Sequence, residues 1–118
     1  MSSKRIVVVK GSPRENGNSA QLATQVVEGA REAGARIESF YLHGMEINPC
    51  DACDACHAEP YSGCIVEDDM QILYPKLLEA NALVIASPIY WFTVSAQTKL
   101  FMDRCYALVD AEGYAMRG

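Results

Sequence analysis

Four consecutive β-branched residues, Ile6-Val7-Val8-Val9, constrain this chain more than any other segment. Such side chains favour extended backbone, and a run without polar alternation makes a strand that is apolar on both faces. A strand of that kind belongs inside a parallel sheet, with helices covering either side. The residues that follow agree with this placement. Lys10 to Ser19 bring Gly11, Pro13, Gly17 and two asparagines, a loop composition, and Asn18 with Gln21 three residues on reads as a capping-box start to a helix. From Ala20 the apolar positions Leu22, Val26, Ala30 and Ala33, joined by Ala23 and Val27, recur at helical spacing until Gly34 supplies a stop.

Arg36 to Leu42 reads as a second strand, less apolar than the first and so nearer a sheet edge. His43 to Val66 is irregular and carries Gly44, Pro49, Pro60, Gly63 and four of the five cysteines. Its length of about two dozen residues far exceeds the usual connection of ~4–6, so it is either functional or internally tied down. Asp68 and Asp69 are placed to cap a helix over Met70 to Ala80, in which Pro75 is expected to introduce a kink or delay the regular part. Leu83 to Ala86 is a third buried strand, Pro88 to Val94 an aromatic loop, and Ser95 to Leu108 a last helix with Ala96, Leu100 and Ala107 on one face. Asp110 to Gly118 reads as a connector. The order β-α-β-loop-α-β-α predicts one α/β domain over residues 1–118, a doubly wound parallel sheet with strand order 2-1-3 and right-handed crossovers. In that order strand 3 is an open apolar edge, and the helix face around Leu100, Phe101 and Ala107 lacks a partner. Both features lead us to expect an oligomer or additional chain covering them.

Charge and cysteine content narrow the function. With 15 acidic against 10 basic residues and a formal charge of -5, there is no basic stripe to bind a nucleic-acid backbone. The apolar run at the start is too short for a signal sequence or a membrane span of roughly 20 residues, so a cytoplasmic protein without membrane association is expected. An odd cysteine count without a secretory signal argues for metal or redox chemistry rather than a disulfide framework.

In a doubly wound sheet the ligand crevice lies beyond the carboxyl ends of the strands where their order reverses, here between strands 1 and 3. Two unusual loops leave those ends. The first combines Ser12, Arg14, Asn16, Asn18 and Ser19 with the amides of a helix start and suits a phosphate, although a plain polar strand-to-helix turn has the same composition. It matches neither the GxGxxG fingerprint nor a Walker loop. The second, Pro88-Ile89-Tyr90-Trp91-Phe92, suits a wall for a flat ring, although aromatic clusters also occur at dimer interfaces.

Three segments together carry a family resemblance: Gly11-Ser12-Pro13-Arg14-Glu15-Asn16-Gly17-Asn18-Ser19, the Cys-x-x-Cys stretch ending in Cys64-Ile65-Val66-Glu67-Asp68-Asp69-Met70, and Ser87-Pro88-Ile89-Tyr90-Trp91 through Lys99 and Asp103-Arg104. In this order and spacing, over roughly Arg5 to Leu108, the chain resembles the NAD(P)H-dependent FMN reductases, and within them the iron-sulfur flavoproteins. The resemblance implies a flavodoxin-like fold. It also implies that Ser12, Arg14, Asn16, Asn18 and Ser19 hold the FMN phosphate, that Pro88, Ile89, Tyr90, Trp91 and Phe92 lie along the flavin ring, and that the protein is a homodimer or tetramer. FMN would accept hydride from NAD(P)H and pass electrons to an acceptor; the alternative is an FMN-binding or iron-sulfur electron carrier without enzymatic activity. The family fold continues into a fourth strand, a third flavin-contacting loop and a fifth strand that this sequence lacks. A fragment, a truncated product or a partner chain supplying those elements is therefore expected.

Cys50, Cys53 and Cys56 stand at successive Cys-x-x-Cys spacing and Cys64 follows after seven residues, a set able to wrap a 4Fe-4S cluster, with zinc as the alternative metal. The last interval is longer than in the compact motifs of the iron-sulfur flavoproteins, so free thiols stand beside the cluster reading. Asp51, Asp54 and Glu59 raise the cost of a net-negative cluster. Cys105 reads as a buried small hydrophobe and His57 as a solvated loop residue, while His43 carries no signal. No Ser-His-Asp set, HExxH pair or carboxylate dyad is present, which fits a chain that binds and tunes a cofactor.

Overall fold

A computed structural model of the chain describes residues 3–59, 63–110 and 113–114. The β-branched run forms β1 (Arg5–Lys10), which is the central strand. It pairs in parallel with β2 (Arg36–Tyr41) on one side and β3 (Ala82–Ala86) on the other, Val8 lying opposite both Ser39 and Val84. The order 2-1-3 and the doubly wound, flavodoxin-like architecture are those the sequence implies. Val7, Val8 and Val9 are buried because the alternating strand sends them to two covered faces. Val7 and Val9 join one core with Leu42, Ile47, Met70, Leu73, Leu77, Phe101 and Leu108, from α2 (Met70–Glu79), α3 (Ala96–Arg104) and the segments beside them. Val8 borders a groove with Ala23, Thr24 and Val27 of α1 (Asn18–Glu32) on the opposite face. Among the described residues β3 is a sheet edge, with Ile85 41% exposed.

Several local expectations are corrected. Asn18 is already helical, so it cannot cap α1; Gly17 occupies that position without a side-chain bond, and Gln21 instead reaches the carbonyl of Asn16 at 3.1 Å. Pro75 lies inside α2 without delaying it, since proline removes one N–H while Leu73, Tyr74 and Leu77 of the same helix are buried. The last helix ends at Arg104, four residues early, and continues as a 3-10 turn over Cys105–Leu108. Phe101 is fully buried in the core, so the face expected to lack a partner is covered there.

The aromatic loop is a hairpin of β4 (Ile89–Tyr90) and β5 (Thr93–Val94), closed by Trp91 and Phe92 at φ +44° and +77°. Within the expected connector, β6 (Val109–Asp110) pairs with β7 (Gly113–Tyr114); the remainder of Asp110 to Gly118 lies outside the described residues. No helix among the described residues is long and apolar enough to cross a membrane.

Candidate functional site

The two loops at the switch point are laced together by hydrogen bonds. Gly11 N–H donates to the carbonyl of Ala86 at 2.8 Å, joining the ends of β1 and β3. Ser95, the cap of α3, donates from Oγ to the carbonyl of Gly11 at 2.6 Å, lies 2.8 Å from Thr98 Oγ1, and donates its own N–H to Ser87 Oγ at 3.0 Å. A Cβ on Gly11 would lie 1.8 Å from Thr98 Oγ1, so this close approach of loop and helix requires glycine.

Beyond this junction opens a cavity of about 880 Å³, lined by Ser12, Arg14, Asn16, Asn18 and Ser19 on one side and by Pro88, Ile89 and Tyr90 on the other. Eight of the ten residues proposed from sequence thus line one space. Ser12 is buried and its Oγ accepts the Arg14 N–H at 3.0 Å, while Tyr41 Oη donates to the carbonyl of Pro13 at 2.8 Å; both bonds hold the loop in shape. The start of α1 carries no side-chain cap, so the N–H groups of its first turn are left to solvent or an anion. Trp91 and Phe92 are not in the lining: they stand at the hairpin tip, 89% and 87% exposed, packed edge to face.

A second pocket gathers all four cysteines proposed as ligands. Cys50, Cys53, Cys56 and Cys64 line it together with Asp51, Asp54, Arg104 and Tyr106. Ala52 and Asp54 adopt left-handed backbone, φ +58° and +59°, which curls the chain between successive cysteines, and a 3-10 turn over Ala55–His57 follows. Burial pushes the Cys56 thiol up from its ordinary value, and the neighbouring Cys64 adds to the effect. Among the described residues no three His, Cys, Asp or Glu side chains converge on a point suited to one ion.

The long loop bearing these cysteines is tied down. Asp69 accepts the Glu46 N–H at 2.7 Å, Asp68 accepts the Asn48 N–H at 2.8 Å, and Gln71 donates to the carbonyls of Cys64 and Val66 at 2.9 and 2.8 Å. Tyr106 donates to Asp54 at 2.9 Å, and that bond pushes its hydroxyl pKa up. His57, read from sequence as a solvated residue, lies half-buried with its ring 4.1 Å from that of Tyr106. His43 meets Gln97 at 3.0 Å. Cys105 packs against the core, and burial pushes its thiol up to about 11, in keeping with a small hydrophobe.

A family model for NADPH-dependent FMN reductase matches residues 4–118, the whole of the sheet and both pockets. The chain belongs to that family. Among the relatives of this FMN reductase family member are iron-sulfur flavoproteins from three archaea. One from Archaeoglobus fulgidus is 40% identical over 115 residues, covering 96% of this chain and 56% of the relative. One from Methanosarcina thermophila is 32% identical over 113 residues, covering 96% and 58%, and one from Methanocaldococcus jannaschii is 35% identical over 100 residues, covering 85% and 51%. The chain spans about half the length of the curated relatives it matches.

In this family member Arg104 and Tyr106 line the cysteine pocket and Ser95 and Thr98 support the first loop, four roles that the sequence motifs do not disclose. Arg104 carried a legible signal. It lies three residues after Phe101, on the buried face of α3, where an isolated cation requires a partner.

Proposed function

We propose that the chain is the FMN-binding part of a flavin-dependent oxidoreductase that draws electrons from NADH or NADPH and passes them to an acceptor. One observation carries this reading: the polar loop at the start of α1 and the Pro88–Tyr90 segment line the same open cavity. Hydroxyl and amide groups of Ser12, Asn16, Asn18 and Ser19, the Arg14 cation and an uncapped helix start form a donor set that fits a phosphate. Pro88, Ile89 and Tyr90 supply the adjacent surface for a flat ring. Bound FMN would supply the hydride acceptor. The chain itself binds and orients the cofactor.

Cys50, Cys53, Cys56 and Cys64 are the proposed ligands of a 4Fe-4S cluster, supported by their shared pocket and by the names of the archaeal relatives. Five free cysteines fit a reducing cytoplasm, and the exposed edge of β3 supports assembly as a homo-oligomer.

The test is FMN titration of the purified chain and of Ser12→Ala/Arg14→Ala. Lost hydrogen bonds to a charged phosphate predict about 3 kcal/mol weaker binding, roughly a hundredfold in Kd. Unchanged affinity removes the loop from the site. FMN-loaded chain that binds flavin normally yet oxidises neither NADH nor NADPH would decide for an electron carrier instead.

A further inference from the structure

Arg104 is the one cationic side chain among the described residues that line the cysteine pocket, against four cysteines and the carboxylates of Asp51 and Asp54. It is 2% exposed, so its charge is answered by protein groups rather than water. Nη1 donates to Asp68 Oδ2 and to the carbonyl of Asn48 at 2.9 Å. Nη2 donates to Asp68 Oδ1 at 3.1 Å and to Cys64 Sγ at 3.4 Å. The Asp68 carboxylate is itself fixed by the N–H groups of Asn48 and Met70 at 2.8 and 3.0 Å, so the planar fork has little freedom to turn. Tyr74 Oη also donates to the Arg104 carbonyl at 2.7 Å. A structural ion pair needs only the two bonds to Asp68, and the remaining Nη2 hydrogen is directed at sulfur.

We infer that Arg104 is the positioning residue of the cysteine site: its Nη2–H holds Cys64 Sγ at the pocket and stabilises negative charge on that sulfur, raising the reduction potential of an iron-sulfur group bound there. The inference rests on the cluster reading above. Reduction adds one electron and no proton to the group, the electron coming from reduced flavin in the proposed reaction or from dithionite in a titration. A cation with an N–H directed at a ligand sulfur favours the more negative, reduced form. Asp68 weakens this field without reversing it, because Nη2 is in direct contact with Cys64 Sγ and the carboxylate is not, so the nearer charge is the cation.

The experiment compares anaerobically purified wild-type chain with Arg104→Gln/Asp68→Asn, which removes both charges together, and with Arg104→Lys, which keeps the ion pair and loses the fork. Iron and acid-labile sulfide are counted per chain, and the potential is read by mediated dithionite titration. The double variant is expected to shift the reduction equilibrium about tenfold toward the oxidised form, a fall of about 59 mV for a one-electron couple. Arg104→Lys should recover part of that shift. A merely structural role would lower iron content without moving the potential of the clusters that remain. Iron-free wild-type chain overturns the cluster reading and this inference with it. Iron-bearing wild type whose potential matches that of the double variant overturns the Arg104 inference alone; if the double variant does not fold, an Arg104→Lys potential equal to wild type does so.

Discussion

Replacing Gly11 with alanine probes the junction that holds the two cavity-lining loops together. The new methyl would lie 1.8 Å from Thr98 Oγ1, 3.0 Å from Ser95 Oγ and 3.1 Å from Thr98 Cβ, against about 3.5 Å or more for an unstrained carbon contact. Thr98 cannot turn aside. It is β-branched and fully buried, and its Oγ1 is held 2.8 Å from Ser95 Oγ. Relief must therefore come from displacing the end of β1 or from breaking the Ser95–Gly11 bond. Overpacking costs about 1–3 kcal/mol and a lost buried hydrogen bond about 1 kcal/mol more. The entropy that alanine removes from the unfolded chain returns about 0.4–1 kcal/mol. The expected net loss is about 2–3 kcal/mol, read in urea unfolding as a midpoint lower by about 1 M for an m-value of about 2 kcal/mol/M. Thr98→Ala removes the hydroxyl that causes the worst clash, so the double variant should be less destabilised than the sum of the two single changes, with a coupling of about 1 kcal/mol or more. A Gly11→Ala midpoint within error of wild type, or strict additivity in the double variant, would refute the reasoning.

Asp68→Asn should cost about 3–5 kcal/mol at pH 7, because it leaves the buried Arg104 guanidinium unpaired. Burial pushes the Asp68 carboxyl up, but hydrogen bonds from Arg104, Asn48 and Met70 outweigh it and hold the group below the usual carboxylate range; its stabilisation is present above the unfolded value of about 3.9 and lost as pH falls through the lower folded value, so the gap between variant and wild type should close only below about pH 4, and a gap already closing near pH 6 would contradict this assignment. Trp91→Asn/Phe92→Gly places the residues that a two-residue turn with positive φ prefers, and should raise the unfolding midpoint by the equivalent of about 1 kcal/mol or more; a lower midpoint would mean that the aromatic pair contributes more than its backbone strain costs. Sedimentation of the chain at micromolar concentration should show self-association through the open edge of β3, and a monodisperse monomer would count against that edge as an interface.

What was legible in the sequence follows from which interactions are local. Ile6 to Val9 announced a buried central strand because strand burial is written as consecutive apolar residues, and the placement of β2 and β3 beside it followed from chain order. The cavity-lining loops were legible because switch-point geometry fixes where they emerge. The hairpin was not: Trp91 and Phe92 carry none of the Asn-Gly chemistry that marks such a turn, and the aromatic run concealed which side chains meet the cavity. Arg104 and Asp68 are 36 residues apart, and nothing in either local sequence states that they pair. The cap of α1 is hidden for a related reason. Spacing alone does not tell whether Asn18 stands before the helix or within its first turn.

The position of α3 makes its length a functional quantity. Its cap, Ser95, is bonded to the loop that follows β1, and its last residue, Arg104, reaches Cys64. At 1.5 Å per residue the nine residues Ala96–Arg104 span about 13 Å. Each inserted or deleted residue would rotate Arg104 by about 100° relative to Ser95, carrying the guanidinium away from both Asp68 and Cys64 while leaving the opposite end in register. An exposed position such as Met102→Ala is open to substitution on this account, whereas a single insertion beside it is not. The helix therefore behaves as a ruler: it sets a fixed offset between two pockets that do not otherwise share a wall, and it tolerates changes of side chain far better than changes of count.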